Sequence, residues 1–203
     1  MNTNLINAAR LKKQAQKGIT LVEVSVGLLI AAIVAAAAFV AFQDNSRRQE
    51  VRENVAEITV QITEAKQKFG RTVAYDALDT ALALQSGTID QFNSYGGNIC
   101  MNGAAAGTAI DNLYDACGAG SSVGGPNDVA VLQWDNIPEA QCLDLVTSTL
   151  EGSREMYVGL ADAAGSQLRT NGVTDLTDLA TACDPDPAVD GETVQITWVI
   201  PQR

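Results

Sequence analysis

The sequence KGITLVE at residues 17–23 opens an apolar run that continues to Phe42. In the 24 residues from Ile19 to Phe42, Glu23 is the only charged side chain. A helix of that length is about 36 Å long, which is enough to cross the hydrocarbon layer of a bilayer. A carboxylate inside such a run is energetically costly and indicates a functional group with a partner. We expect this partner to be a new N-terminal amine, created by a cut between Gly18 and Ile19.

A basic leader precedes the apolar run. Residues 1–18 carry four cations and no acid, which predicts that they stay in the cytoplasm. The leader ending in Gly18, the hydrophobic Ile19, three mostly apolar residues and then Glu23 together resemble the type IV prepilin signature. That resemblance implies cleavage after Gly18 by prepilin peptidase, a membrane aspartyl peptidase, and N-methylation of Ile19 by the same enzyme. It also implies that Glu23 acts in subunit assembly.

Two other interpretations of this run are open. An ordinary secretory signal peptide would be cut after the apolar segment, and the alanines at 36–38 offer such a site. The product would then begin at Phe39 or Val40. Glu23 could also be a tolerated side chain that reaches toward the cytoplasmic face. A carboxylate is unusual in a disposable segment, however, and the helical pattern continues beyond Phe42.

The continuation is amphipathic. Apolar side chains recur every three or four residues, which places them on one helix face. These positions are Val51, Val55, Ile58, Ile62, Ala65 and Phe69. No proline occurs between Ile19 and Phe69, and Gly70 is a suitable stop. The pattern predicts one helix of about 50 residues whose second half packs on a globular domain.

The first half of that helix is rich in small residues. Ser25, Gly27 and the alanines between 31 and 38 would let identical helices approach closely. A simple membrane anchor would have a similar composition. If subunits leave the membrane, the apolar halves must bury against each other in a filament core.

Composition excludes several classes of function. The chain has no histidine, which removes histidine-based catalysis and histidine-liganded metals. After residue 18 there are nine basic and 24 acidic side chains, a net charge of −15, which disfavours a nucleic-acid partner. Acidic residues between 184 and 192 are interpreted as a solvated turn in preference to a calcium site. We expect no cofactor, no metal and no enzymatic activity.

Four cysteines follow the apolar run, at Cys100, Cys117, Cys142 and Cys183. An even number at wide spacing in an exported region predicts two disulfides, with three possible connectivities. Reduced, buried thiols are the alternative.

Local patterns predict the elements of the C-terminal region. We expect short helices at 76–84 and 175–182, a helix from Asn136 or Ile137 to about Leu150, and strands at 129–134 and 156–160. The glycine-rich stretch 96–125 is predicted to be a loop. Alternation over 192–200 predicts a half-buried antiparallel strand. Trp134 and Trp198 are expected in the sheet core.

The C-terminal half and the 18-residue leader resemble the type IVb branch of the pilins. The resemblance lies in residues 137–148 and in the cysteine, short loop and final strand at 183–200. It implies that Cys142 pairs with Cys183, which leaves Cys100 with Cys117. The implied fold is α+β, the pilin fold, with a long N-terminal helix packed on an antiparallel sheet in a C-terminal head. The expected parts are a leader (1–18), an apolar helix half (19–42), an amphipathic helix half (43–70) and a disulfide-bonded head (71–203).

The resemblance implies a structural function. We expect a major type IVb pilus subunit that forms a helical homopolymer for attachment, aggregation or cell–cell contact. Its precursor would lie in the bacterial inner membrane, meet prepilin peptidase and the pilus assembly machinery, and end in an extracellular pilus. A minor pilin or a type II secretion pseudopilin is the alternative on the same scaffold. A secreted, disulfide-bonded binding module or enzyme is the alternative from a different class.

Overall fold

The computed structural model describes residues 20–71, 75, 78–90, 92–105, 107–108, 117, 128–160, 165–184, 186 and 191–202. Their contacts divide the chain into two units, one ending at Asn45 and the other beginning at Ser46. The first unit contributes the apolar part of a helix. The second unit, called the head below, contains the remainder of that helix and the sheet.

One helix, α1, spans Leu21–Lys68 and is 48 residues long. This confirms the long helix expected from the spacing of apolar residues and the absence of proline. The helix ends where predicted, since the N–H of Gly70 bonds to the carbonyl of Ala65 at 3.2 Å. A Cβ at Gly70 would lie 2.8 Å from the Lys66 carbonyl oxygen, so a side chain there would clash with the last turn.

The head contains a six-stranded antiparallel sheet in the order β1-β2-β6-β3-β4-β5. The strands are β1 Ile99–Ala104, β2 Val129–Pro138, β3 Glu155–Gly159, β4 Ser166–Thr170, β5 Val173–Thr174 and β6 Thr193–Pro201. The strand expected at 156–160 is therefore present within one residue. The long strand β6 lies in the middle of the sheet, between β2 and β3.

Two predictions about the sheet need correction, and two strands were missed. Ile99–Ala104 lies inside the stretch predicted to be a loop, yet it forms β1 because it pairs along its length with β2. Strands β4 and β5 were not predicted. The last strand is not half-buried, because every residue from Val194 to Ile200 is buried. A strand with neighbours on both sides in a covered sheet loses both of its faces to the interior.

Three shorter helices lie in the described part of the head, and their starts differ from the predicted ones. They are α2 Thr80–Gln85, α3 Glu139–Thr149, which a 3-10 turn at Leu150–Gly152 extends, and α4 Leu179–Cys183. Helix α2 begins four residues later than expected because the Asp79 carboxylate accepts the Leu82 N–H at 2.7 Å and caps it. Residues 76 and 77 lie outside the described part of the chain.

The other two starts also moved toward the C-terminus. The pairing of β2 with β6 is irregular between Trp134 and Ile137. Strand β2 nevertheless continues to Pro138, which directly precedes the first turn of α3. Asn136 has a φ of 55°, a conformation that asparagine tolerates, and it is therefore not the helix cap. Before α4, the Asp175 carboxylate accepts the N–H and the hydroxyl of Thr177, a local turn that competes with helix.

The core lies between the second half of α1 and one face of the sheet. Ile58 and Ala65 of α1 are fully buried, and Val55 and Phe69 pack against the same cluster. Trp134 and Trp198 are fully buried and form an edge-to-face pair with ring centroids 6.2 Å apart. The predicted α+β fold, a long helix on an antiparallel sheet, is confirmed.

Two disulfides join distant parts of the head. Cys142 of α3 is bonded to Cys183 of α4, with Cα atoms 5.6 Å apart. Cys100 of β1 is bonded to Cys117, with Cα atoms 5.5 Å apart. In the loop-entropy model, closing separations of 41 and 17 residues stabilises by about 4 and about 3 kcal/mol.

Candidate assembly surface

The first half of α1 is an exposed apolar surface. Every residue from Thr20 to Phe42 is exposed, and Leu21 has the highest fraction among the large apolar side chains, at 86%. The others are Val22, Val24, Val26, Leu28, Leu29, Ile30, Ile33, Val34, Phe39, Val40 and Phe42. A continuous apolar surface of this size indicates a lipid or protein partner. By length and composition, α1 can cross a membrane, since its most apolar 18 residues have a mean hydropathy of 2.6.

Glu23 lies in the first turn of α1, and Thr20 caps that turn. The N–H of Glu23 bonds to the Thr20 carbonyl at 3.0 Å and to the Thr20 hydroxyl at 3.3 Å. A carboxylate in the first turn is also favoured by the positive end of the helix dipole. Thr20 was not among the residues predicted for this site. The signal was present in the sequence, because Thr-x-x-Glu before an apolar run is the pattern of an N-terminal capping box.

Of the three residues predicted for processing and assembly, the structure places only Glu23. Gly18 and Ile19 lie outside the described residues, so the cut site and the new amine remain expectations. Small residues follow Glu23 on α1. A Cβ at Gly27 would meet nothing within 4 Å. The Ser25 hydroxyl donates to the Val22 carbonyl at 2.8 Å, so its hydrogen bond is made within α1.

A polar network fixes α1 to α3 inside the head. The Asn54 amide donates to the Tyr95 hydroxyl at 2.6 Å, and that hydroxyl donates in turn to the Gln141 side-chain carbonyl. The Gln141 amide donates to the Glu50 carboxylate at 3.2 Å. Burial raises the pKa of Tyr95 to about 12, and the nearby Glu50 charge adds to that effect against an opposing hydrogen bond from Asn54. Tyr95 therefore stays a neutral donor.

Both tryptophan indoles also make polar contacts with helices. Trp134 Nε1 donates to Gln61 of α1 at 3.1 Å, and Trp198 Nε1 donates to the Thr149 hydroxyl of α3 at 2.9 Å. Gln61 donates in turn to the Glu57 carboxylate at 3.0 Å. Burial, and secondarily the charge of Asp90, raises the pKa of Glu57.

The acidic residues near the C-terminus do not form a metal site in the described part of the chain. Asp184 and Asp186 are exposed and Glu192 is partly buried, whereas Asp190 lies outside the described residues. No group of three or more candidate ligands comes together among the described residues.

Two separate parts of the chain match known protein families. Residues 13–39 match the family model described as the prokaryotic N-terminal methylation motif. Residues 48–200 match the family model described as PilS N terminal. No curated protein shows significant sequence similarity to the chain.

Among solved structures, the chain is similar to the crystal structure of TcpA, a type IV pilin from Vibrio cholerae El Tor biotype. The two share 13% sequence identity, and the match covers 76% of this chain and 98% of that chain with a TM-score of 0.41. Because the match at residues 48–200 spans most of the sequence and the methylation motif precedes it, the chain belongs to the PilS N-terminal family and is a type IV pilin-like protein.

Proposed function

We propose that this chain is the major subunit of a type IVb pilus. Residues 1–18 are a leader that prepilin peptidase removes, and the same enzyme methylates the amine of Ile19. Residues 19–42 lie in the inner membrane before assembly and in the filament core afterwards. The pilus displays the acidic head and serves attachment, aggregation or cell–cell contact.

The observation that carries this proposal is the exposed apolar half of α1 with Glu23 as its only charge. After cleavage, the Ile19 amine is a second charge, four residues away. A docking subunit buries both groups, and an unpaired buried charge costs several kcal/mol. Docking in which Glu23 meets a neighbouring amine is therefore favoured over a shifted register. The type IVb assignment is supported by the leader length and by the sequence of the α3 region.

Analysis of the mature N-terminus tests processing. Filaments sheared from cells and examined by mass spectrometry should contain a chain that begins at Ile19 and carries one added methyl group. A chain beginning at Phe39 or Val40 would instead indicate ordinary signal cleavage. Abundance separates the two pilin functions, because a major subunit dominates the sheared filaments, whereas a minor pilin or pseudopilin is a small fraction of them.

Substitution of Glu23 tests assembly. Glu23→Ala and Glu23→Val should leave the protein in the membrane and abolish filaments seen by electron microscopy. The matched control is Asp44→Ala, which removes another exposed carboxylate of α1 from outside the apolar run. Normal filaments from the Glu23 variants would show that Glu23 is not required for assembly.

A further inference from the structure

A basic groove, called here the arginine groove, lies between α1 and α3 in the head. It has a volume of about 460 Å³. Its lining consists of Arg47, Arg48, Val51 and Arg52 of α1 and Asp144 and Ser148 of α3. All of these side chains except Val51 are exposed. The lining thus combines three arginines with one aspartate and one serine.

The arginine groove concentrates positive charge on an acidic protein. Its arginines are three of the nine cations after residue 18, against 24 acids. Elsewhere in the head, Lys68, Arg154 and Arg169 each form an ion pair with a carboxylate. None of the three groove arginines forms an ion pair with a described residue. Three like charges within six positions repel one another, so an anion between them would be bound favourably.

The position of these arginines along the chain indicates which anions are near the groove. Arg47 follows Phe42, the last residue of the apolar run, by five positions. Five helical residues extend about 7.5 Å, which is similar to the depth of the headgroup layer outside the hydrocarbon. Cations on this flank also oppose the orientation signal of the leader, because membrane proteins keep positive charge on the cytoplasmic side. A contact with lipid phosphates gives a physical reason for their position.

We propose that the arginine groove binds the headgroup of a zwitterionic, phosphate–ammonium phospholipid, such as phosphatidylethanolamine, in the leaflet away from the leader. The guanidinium groups of Arg47, Arg48 and Arg52 hold the phosphate, for which their planar donor pairs are well shaped. The Asp144 carboxylate accepts from the ammonium group, and the Ser148 hydroxyl donates to a phosphate or ester oxygen. A purely anionic headgroup would leave the Asp144 carboxylate without a cationic partner.

This inference rests on the membrane-anchored stage of the proposed function. Lipid binding holds the head at the membrane surface until the subunit enters a filament. Extraction of the subunit then requires release of the headgroup as well as removal of the apolar run from the bilayer.

Lipid retention by the full chain tests the proposal. The protein in detergent micelles is mixed with phosphatidylethanolamine or phosphatidylglycerol, and native mass spectrometry counts the lipid that stays bound. The wild type should retain phosphatidylethanolamine in preference to phosphatidylglycerol. Arg47→Gln or Arg52→Gln should each weaken the retention of phosphatidylethanolamine about fivefold. Arg71→Gln is the matched control, since Arg71 is an exposed cation outside the groove. Asp144→Asn should abolish the preference between the two lipids.

Several results would overturn the proposal. Equal retention by the wild type and the two groove variants would show that the arginines do not bind lipid. Complete displacement of lipid by excess inorganic phosphate would indicate a site for the free anion. Groove variants that keep lipid but lose filaments would assign the arginines to contact with a second copy of the chain. Glu23→Ala leaves the groove intact, so its filament phenotype tests the proposed function separately.

Discussion

Replacing Ile58 with alanine should destabilise the head by several kcal/mol. Ile58 is fully buried in the core between α1 and the sheet. The substitution removes three carbon groups, which at about 0.8 kcal/mol each is a loss of about 2.4 kcal/mol. The cavity left behind raises the loss toward about 5 kcal/mol if the surroundings do not relax. That is a large share of the total stability of an ordinary domain, about 5–15 kcal/mol.

Tryptophan fluorescence during urea unfolding measures this loss. The chain has two tryptophans, and both Trp134 and Trp198 are buried in the head, so the signal reports the unfolding of the head in the full chain. With a urea dependence of about 2 kcal/mol per molar, Ile58→Ala should lower the midpoint by about 1.2–2.5 M.

An exposed position on the same helix supplies the control. Val60 is 54% exposed, and Val60→Ala should change the stability by less than about 0.5 kcal/mol. If Ile58→Ala and Val60→Ala had the same midpoint, the packing of α1 against the sheet described above would be wrong.

Two further predictions use the same unfolding measurement. Replacing both Cys142 and Cys183 with serine should cost about 4 kcal/mol, and an unchanged midpoint under oxidising conditions would contradict the constraint that this bond places on α3 and α4. Glu57→Gln should raise the midpoint at pH 7 and leave it nearly unchanged below pH 4. The pKa of Glu57 is raised in the folded head from its ordinary 4.5, so the folded state binds more protons and loses stability as the pH rises above that value. A midpoint raised equally at pH 7 and below pH 4 would show that the stabilisation does not come from removing the Glu57 charge.

The sequence predicted the parts of this fold that depend on local spacing. Helix α1 and its buried face follow from the recurrence of apolar residues such as Val51 and Ile62, and no distant contact is needed to recognise them. Glu23 was identifiable for the same reason, because one charge in a long apolar run stands out without knowledge of the fold. Thr20 was missed although its capping pattern was present beside Glu23.

Elements that depend on distant partners were not predictable in the same way. Strand β1 contains Gly103 and lies in a glycine-rich stretch, and it becomes a strand only because β2 is beside it. The burial of Gln195 and Thr197 on β6 depends on the position of that strand in the middle of the sheet. The arginine groove has the same origin, since Arg48 and Asp144 are far apart in sequence and share a surface only after α3 packs on α1.

The position of β6 also sets an order for folding. Ribosomes make this strand after the other five, yet it is the neighbour of both β2 and β3. Strands β2 and β3 cannot belong to one continuous sheet until residues 193–201 have been synthesised and lie between them. The apolar half of α1 is synthesised long before that point and can insert while the head is still unfolded. Under the proposed function, a nascent subunit is therefore anchored first and acquires its folded head last, so it enters a filament only after the head has crossed the membrane.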